Sequence, residues 1–303
     1  SSAASDVYKR QTATRDAAGS GVHAPVADEP GPPPAPRRRP GRRETGLSLL
    51  FAAPGLAGVA IFVIFPLFQA MYLATRGTDI LGNPTRSVGL ANFVALLTPE
   101  FGQVLLQTAV FTAIVVVGGL LLPLALAVPT AQRLPGMRAF RTLFSLPFAY
   151  SASGAATVWL IMFSPAMSPV NWLLDLVGLP SPGWTTSSGW ALVVVAWVTL
   201  WMVSGFNLLV LAAALAGVDE EVLEAARLDG ATGWRGFTRV VLPMISPSVF
   251  FVIVTTTLTA LQALGQVQAL TDGGPNGSSA TLVYSIFDLA FHNGNSDFGA
   301  ASA

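Results

Sequence analysis

From Leu47 to about Leu73 the chain carries no charged residue, and the run is long enough to cross a hydrocarbon core that needs about 20 helical residues. Comparable uncharged stretches run from about Val104 to Val128, Leu143 to Phe163, Gly189 to Leu215 and Met244 to Leu270. Each is apolar all round, the pattern of a membrane span and not of a one-sided surface helix. Five complete spans are therefore expected. Phe298 to Ala303 is small and apolar, and it reads as the start of a sixth span that is cut off, so the sequence is expected to be a fragment at both ends.

Residues 1–46 lack any apolar period and are rich in Pro, Ala and Arg, including Pro32-Pro33-Pro34, so they are expected to form a disordered tail. No signal-peptide core appears there. Ser1 to Gln11 resembles a translated sequencing-adapter artefact and is set aside.

Composition agrees with membrane insertion. Hydrophobic residues make up 52% of the chain and charged residues only 11%, against about 25% in soluble domains. The mean hydropathy is +0.60. The formal net charge of zero conceals an Arg-rich tail joined to a nearly uncharged body. Without Cys, disulfides and thiolate chemistry are excluded. Lys9 is the only lysine, and no G-x-x-x-x-G-K-[ST] run is present, so any ATP hydrolysis must be done by another chain. The two histidines, His23 and His292, fall in the tail and an outer loop, so no metal, cofactor or catalytic constellation is expected.

Arg placement sets the orientation, because short cytoplasmic loops are enriched in Lys and Arg. Arg37, Arg38, Arg39, Arg42 and Arg43 precede the first span, Arg133, Arg138 and Arg141 follow the second, and Arg227, Arg235 and Arg239 follow the fourth. The intervening loops are poorer, with Arg76 and Arg86 in 74–103 and none in 164–188 or 271–298. The N terminus and the 216–243 loop are thus expected in the cytoplasm. Trp172, Trp184 and Trp190 then fall at an outer boundary, where indoles act as anchors.

The stretch 219–243 holds the strongest local pattern. Asp219 is a plausible N-cap, with Glu220 and Glu221 in the first turn where carboxylates favour the helix's positive end. Val222, Leu223, Ala226 and Leu228 give the helix an apolar side, and Gly230 permits a sharp turn. A second amphipathic piece carries Trp234, Phe237 and Val241 to Leu242-Pro243. The expectation is a helix, a bend and a helix at the cytoplasmic surface.

Glu224-Ala225-Ala226, Gly230 and Val240-Val241-Leu242-Pro243 keep the spacing of the EAA loop of ABC importer permeases, and the chain resembles that family from residue 47 onward. Val240 replaces the family's Ile. Further likeness lies in Phe51-Ala52-Ala53-Pro54, Phe65-Pro66, Phe140 to Pro147, and Thr271-Asp272-Gly273-Gly274-Pro275. These look like the oligosaccharide and glycerol-phosphate branch, and Gly265 to Gln268 with Leu282-Val283-Tyr284 is most similar to the first permease of glycerol-3-phosphate systems. The resemblance implies an all-α polytopic bundle of the type I importer (MetI-like) class in a bacterial inner membrane. It implies ATPase-coupling roles for Glu224, Ala225, Ala226, Asp229, Gly230, Leu242 and Pro243. It also implies as partners ABC ATPase subunits, a second homologous permease and an extracytoplasmic solute-binding protein, with a sugar or glycerol-3-phosphate as substrate and no nucleic acid.

Polar residues inside spans are pathway candidates when they face the path and not a neighbouring helix. Here they are Ser204, Asn207, Thr255, Thr259, Gln262 and Gln266. No Arg or Lys lies deep in a complete span, which weighs against a phosphate-bearing ligand. Asp288 and His292 read as solvated. The competing reading is an ion-coupled secondary transporter, which would place ionisable groups inside its spans, and the five spans have none. A membrane-embedded enzyme would need a catalytic cluster that is missing.

Overall fold

The structure, a computed structural model, describes residues 42–79, 81–130, 137–164, 167–291 and 297–303. The tail before residue 42, Arg133 and His292 lie outside the described residues, as do the side chains of Arg42, Arg43, Arg138 and Arg141. The chain divides into two units, residues 1–60 and 61–303.

In the first unit, α1 (Arg42–Val59) leaves no side chain buried from Leu50 onward. A π-helical turn, Ala60–Ile64, then leads into α2 (Phe65–Leu73) of the second unit. A second π turn, Phe237–Val241, leads into α11 (Leu242–Met244). Each π turn ends two residues before a proline, Pro66 or Pro243. A proline ring clashes with the carbonyl four residues back, and the wider π turn relieves that clash.

The segment read as a long loop at 74–103 holds structure that period analysis misses. Strands β1 (Arg76–Thr78) and β2 (Pro84–Ser87) pair antiparallel, and α3 (Ala91–Ala95) follows. Two-strand ribbons this short carry no hydrophobic alternation to read. Asp79 holds the turn by accepting from the Leu81 and Asn83 amides at 3.0 and 2.8 Å.

The scaffold is α4 (Pro99–Thr130) packed along α8 (Ser188–Ala216), the most extensive helix pair, with α12 (Ser246–Leu261) against both. Phe111 and Val115 of α4 meet Val194, Val195 and Val198 of α8 and Ala260 of α12 in the main apolar core. A second cluster, around Leu208, Leu211 and Val252, continues it toward Ala127.

Two of the expected straight spans are broken. In the third, α5 (Met137–Ser145) runs into a 3-10 turn, Leu146–Ala149, and α6 (Ala152–Met162) leaves at 109°. Pro147 lacks an amide hydrogen, Tyr150 is extended, and Ser151 restarts the helix by accepting from the Gly154 amide at 3.2 Å. In the fifth, a 74° bend separates Gly233–Met244 from α12, where Pro247 enters at the new N-terminus. A further break at Gln262-Ala263 precedes α13 (Leu264–Leu270). By length and composition, three helices among the described residues are able to cross a membrane, or up to five if each bent pair is one span.

The remaining helices lie between or after the spans. Trp184 donates to Asn171 of α7 (Pro169–Leu176) at 2.6 Å and packs on Phe163, while Trp172 and Trp190 are exposed. Asp288 is half-buried on α14 (Leu282–Phe291), not fully solvated. At the end, α15 (Phe298–Ser302) is capped by Asp297 and donates its Gly299 amide to the Thr78 hydroxyl at 3.2 Å.

Candidate functional site

The loop after α8 folds as the pattern predicts. Asp219 occupies the N-cap position of α9 (Glu220–Leu228) in extended backbone, although its side chain makes no capping bond. Its carboxylate therefore acts with Glu220 and Glu221 through charge at the positive helix end. The other end closes in a Schellman motif, in which the Ala231 amide donates to the Ala226 carbonyl at 2.9 Å and the Gly230 amide to the Arg227 carbonyl at 3.1 Å. That motif needs a left-handed residue, and Gly230 supplies it with φ +79°. The space around it is open, so conformation and not crowding demands glycine there.

Beyond the turn, α10 (Gly233–Gly236) and the second π turn bring Phe237 and Val241 back over α9. Together they enclose a groove of about 430 Å³ whose apolar wall includes Leu223, Ala226, Leu215 and Phe237. The expected apolar side of α9 is thus corrected in part. Leu223 and Ala226 face this groove, whereas Val222 is exposed and Leu228 is 90% exposed. Trp234 is 78% exposed and stacks on Phe237 with ring centroids 5.6 Å apart. Glu221, Glu224, Ala225 and Leu228 recur at helical spacing on one uncovered face, and Asp229 and Pro243 are exposed while Leu242 is half-buried.

A second site lies between the broken spans. A cavity of about 380 Å³ gathers Asn207, Thr255, Thr259 and Gln266 of the six pathway candidates. Ser204 points instead into a separate apolar groove of about 360 Å³ with Trp197 and Trp201, and its hydroxyl donates to the Leu200 carbonyl at 2.6 Å. Gln262 is exposed at the end of α12 and lines neither. Sequence reasoning missed Phe148, Tyr150, Met202 and Phe206, which supply the cavity's apolar surface. Met202, Val203, Phe206 and Asn207 share one face of α8, a period that was available in the sequence once Asn207 was chosen. Phe148 and Tyr150 were not accessible that way, because they reach the cavity only through the 109° bend.

Hydrogen bonding within the cavity is uneven. Asn207 is 1% exposed and donates to the Gly119 carbonyl at 2.8 Å and the Thr256 hydroxyl at 3.0 Å. Thr255 and Thr259 donate back to their own helix, at 2.8 Å to Phe251 and 2.9 Å to Thr255. Gln266 is 5% exposed, and its amide reaches only the Met202 sulfur at 3.8 Å. Among the described residues no cluster of three or more His, Asp or Glu could hold a metal.

Residues 119–303 match the family model described as the binding-protein-dependent transport system inner membrane component. The sn-glycerol-3-phosphate transport system permease protein UgpA of Agrobacterium fabrum is 33% identical over 259 residues, covering 85% of this chain and 88% of that one. UgpA of Escherichia coli O157:H7 is also 33% identical, over 257 residues, covering 84% of this chain and 86% of its own. In fold, the chain is similar to one in the crystal structure of a bacterial ABC transporter involved in the import of the acidic polysaccharide alginate. The TM-score is 0.70 at 22% identity, covering 86% of this chain and 89% of that chain.

Proposed function

The chain belongs to the family of binding-protein-dependent transport system inner membrane components, and from that premise we propose how its parts divide the work of a permease subunit. It is the membrane-spanning part of an ABC importer for carbohydrates or glycerol-3-phosphate, and ATP is hydrolysed in a separate subunit. The stretch 219–243 is the coupling loop, with Glu224, Ala225, Ala226, Asp229, Gly230, Leu242 and Pro243 as its coupling residues. The spans number five with the start of a sixth, and the N terminus is cytoplasmic.

The observation that carries this reading is the free face of α9. A nine-residue helix is fixed at one end by a Schellman turn and held on its inner side by Leu223 and Ala226, yet it displays Glu221, Glu224, Ala225 and Leu228 to solvent. A rigid short helix with an acidic and apolar outer face suits insertion into a groove on a partner, where small Ala225 permits close approach. Force applied to α9 passes through the Phe237–Val241 turn and α11 to the 74° bend at the head of α12, which lines the cavity. Closure of two ATPase subunits would draw the loops of this chain and of a second homologous permease together and open the cavity outward. Ligand would then arrive from an extracytoplasmic solute-binding protein. An ion-coupled carrier has no comparable support, since Asn, Thr, Gln, Met, aromatic and aliphatic side chains line the cavity and no Asp, Glu, His, Lys or Arg is among them.

The test is reconstitution with the ATPase, second permease and binding protein. Gly230→Pro should leave the chain inserted while uptake and stimulated ATP hydrolysis fall to background, and normal coupled uptake by that variant would overturn the reading.

A further inference from the structure

We infer that the cavity between α8 and α12 selects an uncharged polyol or sugar and discriminates against phosphate esters, including the glycerol-3-phosphate named for the relatives. The inference rests on the permease reading and specifies its ligand. It comes from a count of which hydrogen-bonding valences the wall has already used.

The hydroxyl protons of Thr255 and Thr259 are committed to backbone carbonyls of their own helix. What those two oxygens still offer a ligand is lone pairs. Asn207 spends its amide hydrogens on Gly119 and Thr256, which leaves Oδ1 as a third acceptor. Gln266 brings donor hydrogens held only weakly, against a sulfur 3.8 Å away, and its carboxamide can both give and accept, as can the lining hydroxyls of Tyr150 and Thr256. The wall therefore offers neutral donors and acceptors together, and no cation. A ligand that fits must both give and accept hydrogen bonds without carrying charge, as a polyol does. A phosphate monoester supplies three acceptor oxygens and about 1.5 to 2 negative charges at neutral pH, and no lining residue carries a positive charge to meet them. In a mostly apolar cavity such a charge would be desolvated without compensation.

The aromatic lining agrees. Phe148 stacks against Phe206 with centroids 5.3 Å apart, and Tyr150 tilts on Trp201 at 6.0 Å. Flat apolar faces next to fixed acceptors match the two surfaces of a sugar ring, one of C–H groups and one edge of hydroxyls. At about 380 Å³ the space admits a ligand of one or two rings.

The experiment is ATP-dependent uptake by proteoliposomes that contain the complete importer, with radiolabelled maltose, trehalose, sorbitol and glycerol-3-phosphate each supplied at saturating concentration. At least one neutral probe should accumulate ten times faster than glycerol-3-phosphate or more. Gln266→Leu and Thr259→Val should each slow that neutral uptake roughly five- to tenfold, the scale of one hydrogen bond, and Thr259→Ser, which keeps the acceptor, should restore it. ATP-dependent uptake of glycerol-3-phosphate at or above the rate of every neutral probe overturns the inference alone. Uptake that proceeds equally well without ATP overturns instead the permease reading beneath it.

Discussion

Asn207 on α8 donates to the carbonyl of Gly119 on α4, 88 residues away in sequence, at 2.8 Å. The reason lies one turn further along α4. The Gly119 carbonyl would ordinarily accept from the amide of residue 123, and that residue is Pro123, which has none. Asn207 replaces the missing donor and ties in Thr256 of α12 with the same nitrogen. A polar side chain offered in the sequence as a ligand contact is therefore first a repair to a neighbouring helix, as proline in a buried span requires.

Asn207→Leu should destabilise the protein by about 1 to 3 kcal/mol, since it strands a buried carbonyl with no other donor. Pro123→Ala should remove most of that cost by restoring the amide at 123. Thermal unfolding in detergent of the two single variants and the double variant would show coupling of that sign. Strict additivity would refute the relationship.

Leu228→Asp and Glu224→Lys should each change the chain's own stability by no more than about 0.5 kcal/mol, because both positions are exposed and face away from the groove. Capture of the ATPase subunit in a pull-down should nevertheless fall at least tenfold. Loss of thermal stability in parallel with capture would assign these residues to folding instead.

Gly273 has φ +73° and lies so close to the Tyr284 ring that a Cβ could not be accommodated, while the Tyr284 hydroxyl donates to the Asp272 carbonyl at 2.7 Å. Gly273→Ala should cost about 2 to 4 kcal/mol, the sum of a left-handed alanine and an overpacked contact. Tyr284→Leu loses the hydrogen bond but opens space, so the double variant should be less damaged than additivity requires. Melting temperatures of the set decide the matter.

Asp79 is held below its ordinary value of 3.8, first by the Asn83 side chain, which donates at 3.1 Å, and then by the Asn83 and Leu81 amides. A lowered carboxylate pKa contributes stability that is present above the unfolded value and lost as pH falls through the folded one. Amide exchange at Leu81 and Asn83 should therefore lose protection on acidification below about pH 4. In Asp79→Asn that step should vanish.

The spans and the α9 turn were legible because each rests on a local cause: uncharged length for Pro99–Val128 and Ser188–Ala216, acidic charge at the start of α9, and the left-handed turn at Gly230. Apolar runs carry no information about direction, so Leu143 to Phe163 reads the same whether straight or bent by 109°. Pro147 was visible, but the redirection depends on Ser151 capping a new helix and on that helix finding α13 to pack against. The cavity was half legible. Asn207, Thr255, Thr259 and Gln266 announce themselves by polarity, whereas Phe148 and Tyr150 look like any lipid-facing aromatic until the bend turns them inward.

The π turn at Phe237–Val241 counts, in effect, as one residue too many for an α-helix. Removing a single residue from it would rotate α11 by about 100° relative to α9, re-aiming the 74° bend at the head of α12 while leaving composition, hydropathy and the Glu224 region intact. The spacing between Gly230 and Pro243 is for that reason a phase setting. It fixes the direction in which α12 leaves the bend when α9 is seated, so its length should tolerate substitution far better than deletion.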